Sequence, residues 1–381
     1  MSSKVVSRIY VAVSVIFFNS FLLFLMINFG FSGLSDLKKY YRKKSRPPDS
    51  TYSFKADNPA LRKVYPGLSQ PEIAQLIREN RSVAQGYEPY VQFKELPFHG
   101  KYVNADPRGF RSIDSQEKWP LDKNCYNIFV FGGSTAFGYG VADKETIAGC
   151  LKQILKESFN EAIEVYNFGR CSYFSGQESI LLQQLIINGN VPNVAIFIDG
   201  LNDFAHYTGQ PGFTKDLRKF MDEGDKPTWK KMVGELPVTK IFLKNRESKS
   251  EKEKAPTTEV ISNVISRYKT TKDIIEAICE KFGIKTLFVW QPVPVFKYNQ
   301  DYNIFNKFDY NGFMPYLELG YETMAMDYRD GEFGNDFIWL ADMQKNLKEP
   351  LYVDALHYSA KMSRLIADQI SIALLHKKIF P

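Results

Sequence analysis

A serine hydroxyl becomes a nucleophile only where a base can take its proton and donors can receive the charge that follows. Ser134 stands in FGGSTAFGYG, residues 131–140, directly after the apolar run YNIFVF. A serine at a glycine turn past a buried strand has its hydroxyl at the sheet edge. The helix that follows can aim backbone N–H groups at an anion there. Taken alone this is a common turn or a phosphate site. No Gly-Lys-Ser/Thr follows, so it is not a P-loop, and Ala136 occupies the last glycine position of a G-x-S-x-G elbow.

The second candidate is YVDALHYS, residues 352–359. Asp354 and His357 are three apart, and in a turn that spacing lets the carboxylate hold one imidazole nitrogen while the other takes a proton from serine. Surface Asp-x-x-His pairs also arise by chance. The chain has four histidines, His99, His206, His357 and His376. His206 is the serious competitor as base, because it follows the third expected strand. Gly169, in NFGRCSYFSGQE, ends the second, and a glycine there lets backbone approach a ligand. Asn202, in DGLND, ends the third and offers amide N–H donors where a carbonyl oxygen would gain charge. Each also reads as a turn or cap residue.

These residues need a sheet to gather them. YNIFVF, IEVYNF, NVAIFID, KTLFVWQP and DFIWLAD read as buried strands, with helices between them. Helices are expected from about Asp143, from a capping box at Ser175–Glu178, over Glu259–Phe282 and from Ser359. This alternation implies a parallel sheet covered on both faces, with ligands at the carboxyl ends of its strands.

Serine after strand one, glycine after strand two, asparagine after strand three and Asp-x-x-His before the last helix resemble the SGNH hydrolases from about Asn124 to the C-terminus. The first block there usually reads Gly-Asp-Ser, and here Gly133 stands for the aspartate. The resemblance implies a flavodoxin-like three-layer α/β/α fold and an acyl-serine mechanism. Ser134 would attack, His357 act as base and then acid, and Asp354 orient His357. Ser134 and Gly169 N–H groups with the Asn202 amide would form the oxyanion hole. The expected activity is ester hydrolysis on O-acylated carbohydrate or small acyl esters. An acyltransferase handing the group to a surface glycan would use the same triad. A lipid esterase and a non-catalytic membrane-tethered glycan-binding or assembly protein are further readings. No metal-ligand cluster or cofactor signature is present in the sequence.

The chain has 381 residues, 44% hydrophobic and 24% charged, with a net charge of +6. That is ordinary globular composition. Nothing in the sequence has the pattern of a nucleic-acid-binding module. Cys125, Cys150, Cys171 and Cys279 form no CxxC pair, and a single bridge stays open. Residues 9–34 carry no charge, long enough for an uncleaved single-pass anchor in the bilayer. Six basic residues between Lys38 and Arg46 follow it. The positive-inside rule alone places the C-terminal side in the cytoplasm, yet large domains translocate despite such flanks. The catalytic part is expected to be extracytoplasmic. The chain thus divides into an anchor (1–35), a juxtamembrane linker and lead-in (36–121, with a helix over 71–80) and a hydrolase domain (122–381) interrupted at about 208–258.

Overall fold

The computed structural model describes residues 3–45, 58–113, 116, 119–159, 162–224, 257–377 and 379. It comprises two compact units, residues 1–49 with 215–254, and residues 50–214 with 255–381. In the first unit, helix α1 (Ser3–Ser45) carries an apolar stretch, Ser3–Phe24, long enough to cross a membrane. The helix runs on through the basic residues expected to form a linker. Lys and Arg are good helix formers, and no proline opposes the helix until Pro47.

The second unit opens with α2 (Gln70–Ser82), where Ser69 and Glu72 form a capping box. Two short antiparallel pairs follow, β1 (Gln85–Glu88) with β2 (Gln92–Glu95), and β3 (Phe98–His99) with β4 (Asn104–Ala105). The alternating part then runs β5 (Tyr126–Gly132), α3 (Ser134–Phe137), α4 (Ile147–Ser158), β6 (Ile163–Asn167), α5 (Ser175–Ile187), β7 (Val194–Asp199) and α6 (Leu201–Ala205). Helix α7 (Thr214–Gly224) begins on the last residue of this stretch and continues in the first unit. Residues 225–256 of the expected insertion, including Lys244–Lys254, lie outside the described residues. The chain resumes with α8 (Thr257–Phe282), β8 (Lys285–Trp290), α9 (Tyr310–Phe313), α10 (Leu317–Arg329), β9 (Phe337–Trp339) and α11 (Ala360–His376).

The five long-range strands pair in parallel in the order β6-β5-β7-β8-β9. This is the flavodoxin-like order, and the expected three-layer α/β/α architecture is observed. Alternate residues of β5 feed opposite faces, as the strand period requires. Ile128 and Val130 join α4 and α11 residues such as Leu151 and Ile366 on one side. Phe129 and Phe131 join Leu182 of α5 and Ile265 of α8 on the other. On that second face Phe131, Phe197 and Phe288 lie in register on β5, β7 and β8. Their rings stack at 4.9 and 5.3 Å. The lead-in is part of the same core, since Leu61, Val64, Ile73, Leu76 and Phe93 are buried in this aromatic layer.

One helix start differs from expectation. Ser175 is the first helical residue of α5 rather than its cap, and Phe174 takes the capping position. The Ser175 hydroxyl donates instead to Asp203 Oδ1 at 2.5 Å, and Glu178 turns inward to full burial. All four cysteines are free thiols.

Candidate active site

The order of strands makes β5 and β7 neighbours although β6 lies between them in sequence. The crevice where connections leave in opposite directions is where such sheets bind ligands. Ser134 follows β5 and Asn202 follows β7, so the topology brings both to that edge.

Ser134 Oγ lies 2.8 Å from His357 Nε2, and His357 Nδ1 lies 2.7 Å from Asp354 Oδ2. The other Asp354 oxygen accepts the backbone N–H groups of Leu356 and His357, each at 2.8 Å. The carboxylate therefore holds both the ring and the turn that presents it. Asp354 and His357 are buried, while Ser134 is half-buried and open to a substrate. Backbone bonds from Val353 to the His357 carbonyl and from Ser359 to the Leu351 carbonyl close residues 351–359 into a tight loop. His206, the competing histidine, stacks on Phe174 at 5.4 Å, and burial lowers its pKa.

Asn202 donates to the Tyr173 carbonyl at 2.6 Å, which fixes its amide plane. That amide has a second N–H. A Cβ added at 133 would come 2.1 Å from Asn202 Nδ2. Gly133 thus leaves room for Asn202 in this rotamer, beside the peptide leading into Ser134.

Gly169 is also set by close approach. A Cβ there would lie 2.3 Å from the Phe137 backbone nitrogen. Its own N–H donates to Asn167 Oδ1 at 3.0 Å. In this conformation the donor expected of Gly169 is therefore engaged within its own turn, and the glycine serves to admit the short helix α3.

Several functional supports escaped sequence reasoning. Arg111 is fully buried, with Nε 2.9 Å from Asp143 Oδ1. Its Nη atoms donate to the carbonyls of Phe137 (3.2 Å), Gly138 (2.7 Å) and Val141 (2.7 Å). Asn167 donates to the Ala136 carbonyl at 3.0 Å. Together they satisfy the carbonyls that the four-residue α3 leaves unpaired at its end. The signal was an arginine in an otherwise apolar and turn-rich stretch, too common to read without the contacts. Gln291 links the two halves of the relay. Thr135, next to Ser134, donates to its Oε1 at 2.6 Å, and the Tyr358 hydroxyl, next to His357, lies 3.0 Å from the same oxygen while its shorter bond, 2.6 Å, goes to the Pro292 carbonyl.

Tyr65 and Asn80, from the lead-in, pin the loop after α3. Tyr65 donates to the Gly140 carbonyl at 2.7 Å, and the Gly140 N–H donates to Asn80 Oδ1 at 3.0 Å. The Tyr139 ring then rests 4.6 Å from the His357 ring. Below the Asn202 turn, Glu178, Asp199 and Asp203 are buried together. Burial first, and then their neighbours' charges, raises the pKa of Glu178 and Asp199 well above the carboxylate range. Asp203 is raised as well, mainly by burial. Glu178 Oε1 and Oε2 and Asp199 Oδ1 have no hydrogen-bond donor among the described residues, which suits carboxyls that burial keeps protonated.

No protein-family model matches the chain, and no curated protein matches it. Solved structures do. The lipase Lip_vut3 from a goat rumen metagenome is 12% identical, with a TM-score of 0.40, and the match covers 65% of this chain and 96% of that one. The psychrotrophic esterase EstA from Pseudoalteromonas is 12% identical over 66% of this chain and 97% of that one, with a TM-score of 0.33. A lipolytic G-D-S-L family member from Veillonella parvula is 9% identical over 66% and 96%, with a TM-score of 0.34. The likeness is one of fold.

Proposed function

We propose that this chain is a membrane-anchored serine esterase that works through an acyl-serine intermediate. The observation that carries the reading is the continuous relay from Ser134 Oγ to His357 Nε2, and from Nδ1 to Asp354, at 2.8 and 2.7 Å. Ser134 Oγ attacks the ester carbonyl while His357 Nε2 takes its proton. The carbonyl oxygen becomes an anion, received by the Ser134 N–H and the free N–H of Asn202. Gly169 shapes this hole and can join it if its N–H leaves Asn167. The intermediate collapses, the alcohol departs with the proton from His357, and the acyl group stays on Ser134. Water, deprotonated by the same histidine, then releases the acid.

The favoured substrates are O-acylated carbohydrates and other compact esters. Support comes from a space of about 100 Å³ lined in part by His357, Tyr139 and Val353, which suits compact groups better than long chains. The apolar stretch Ser3–Phe24 supports a single-pass anchor, and we place the catalytic unit on the extracytoplasmic side. The test is covalent labelling of the full chain by a fluorophosphonate, followed by p-nitrophenyl acetate turnover. Labelling and turnover lost in Ser134→Ala support the reading. A folded wild type that neither labels nor turns over overturns it.

A further inference from the structure

An acyl-serine relay makes a cation each time it works. When His357 Nε2 takes the Ser134 proton the ring becomes an imidazolium, and it does so again when water attacks the acyl group. That charge appears where water hardly reaches, since His357 is 6% exposed. A buried cation is costly unless the protein supplies its partners. Asp354 is one, 2.7 Å from Nδ1. It meets the edge of the ring and leaves the faces.

The Tyr139 ring is the second neighbour. Its centroid is 4.6 Å from that of the imidazole, and the planes are 41° apart. Rings this close cannot lie side by side, and at this tilt neither stands upright on the other. Part of the phenol's π surface is therefore turned toward the imidazole. A cation over an aromatic face, within about 6 Å of the centroid, is attracted by the ring quadrupole, and more strongly where water is excluded. Of the other groups lining the space beside His357, Arg81 carries a like charge, and the Tyr65 and Asn80 side chains are bonded to Gly140. Asp354 and Tyr139 are left to favour the cation.

The backbone fixes this tyrosine from both sides. Its N–H donates to the Ser134 carbonyl at 3.0 Å, which ties it to the nucleophile's own residue. The next residue, Gly140, is held by Tyr65 and Asn80 of the lead-in. Gly140 has a φ of 92°, and a Cβ there would come 2.5 Å from Val353 Cγ2, one residue before Asp354. Position 139 is thus locked between the nucleophile, the lead-in and the loop that presents the base.

We propose that Tyr139 acts through His357 as a positioning residue, its π face stabilising the imidazolium as it forms in both acylation and deacylation. This deepens the esterase reading and rests on it.

The test is p-nitrophenyl acetate turnover by the full chain in detergent micelles, with ring variants at position 139. Tyr139→Phe keeps the face and should stay within about twofold of wild type in kcat. Phenylalanine rings bearing one, two and three fluorines keep that shape while drawing electron density from the face, so kcat should fall with each fluorine added. Tyr139→Leu has no π face and should lose about twofold to thirtyfold in kcat. KM should hardly move, because the imidazolium is absent from the bound ground state and forms in both steps. A kcat flat across the fluorinated series overturns the proposal. So does a loss seen in KM alone, which would make Tyr139 a wall of the substrate site. Collapse of the loop in Tyr139→Leu leaves the test intact, since the fluorinated rings share one shape. A folded wild type that neither labels with a fluorophosphonate nor turns over overturns the esterase reading and this proposal with it. A labelled, active enzyme indifferent to fluorination sinks the proposal alone.

Discussion

At the scale of single residues, the site depends on two glycines as much as on its polar groups. Gly133 leaves room for Asn202 as it stands, since the space a Cβ would need is filled by the amide nitrogen. Gly133→Ala should therefore lower kcat on a model ester as Asn202→Ala does, by about 10²-fold to 10³-fold. The double variant should be little worse than either single one, since both remove the same donor. Multiplicative losses would mean that Gly133 acts elsewhere. The histidines divide as sharply. His357→Ala should abolish turnover of the same ester, whereas His206→Ala should keep much of it, because His206 packs on Phe174. The reverse result would reassign the base.

At the scale of elements, the short helix α3 is held by neighbours rather than by its own length. Four residues are too few to be stable alone. Arg111, Asn167 and the approach of Gly169 hold it in place. Arg111→Ala leaves Asp143 buried without its cation, and should cost about 3–5 kcal/mol in urea unfolding. A loss under 1 kcal/mol would show that Asp143 finds another partner or a proton. The buried carboxyls under the Asn202 turn act on stability through pH. The pKa of Glu178 is raised on folding, by burial and then by Asp199 and Asp203. Its stability is fully present below its unfolded pKa and is lost as pH rises toward the folded value. Glu178→Gln should thus raise the melting temperature at neutral pH, with the gain vanishing near pH ~4. A variant less stable than wild type at neutral pH would mean that the carboxyl is ionised and needed as such.

At the scale of the whole molecule, the chain joins an apolar helix to an α/β unit that includes the lead-in. Deleting residues 3–24 should shift the protein from the membrane pellet to the supernatant after carbonate washing. Retention in the pellet would assign membrane attachment to another part of the chain. Because Tyr65 is buried and braces Gly140, Tyr65→Phe should cost about 1–3 kcal/mol, by leaving a buried carbonyl short of a donor. An unchanged urea midpoint would show that the loop after α3 does not depend on the lead-in.

Much of this was readable from the sequence because it depends on local pattern. Five apolar runs alternating with amphipathic helices lead to a parallel sheet, since helical crossovers return each strand in the same direction and cover both faces. Motif order along those strands then nominates Ser134, Gly169, Asn202, Asp354 and His357. What local pattern could not carry was decided by contacts between distant segments. Arg111 stands in no sequence pattern, and its role shows only where the end of α3 is seen to need donors. Gly133 reads as a turn until Asn202 fills its side-chain space. Ser175 reads as a cap until Asp203 claims its hydroxyl. The lead-in carries an expected helix over 71–80, but which of its apolar residues enter the aromatic layer shows only in the fold. In each case the residue's partner lies more than 20 positions away in sequence. Only the folded chain brings such a pair within hydrogen-bonding or van der Waals distance.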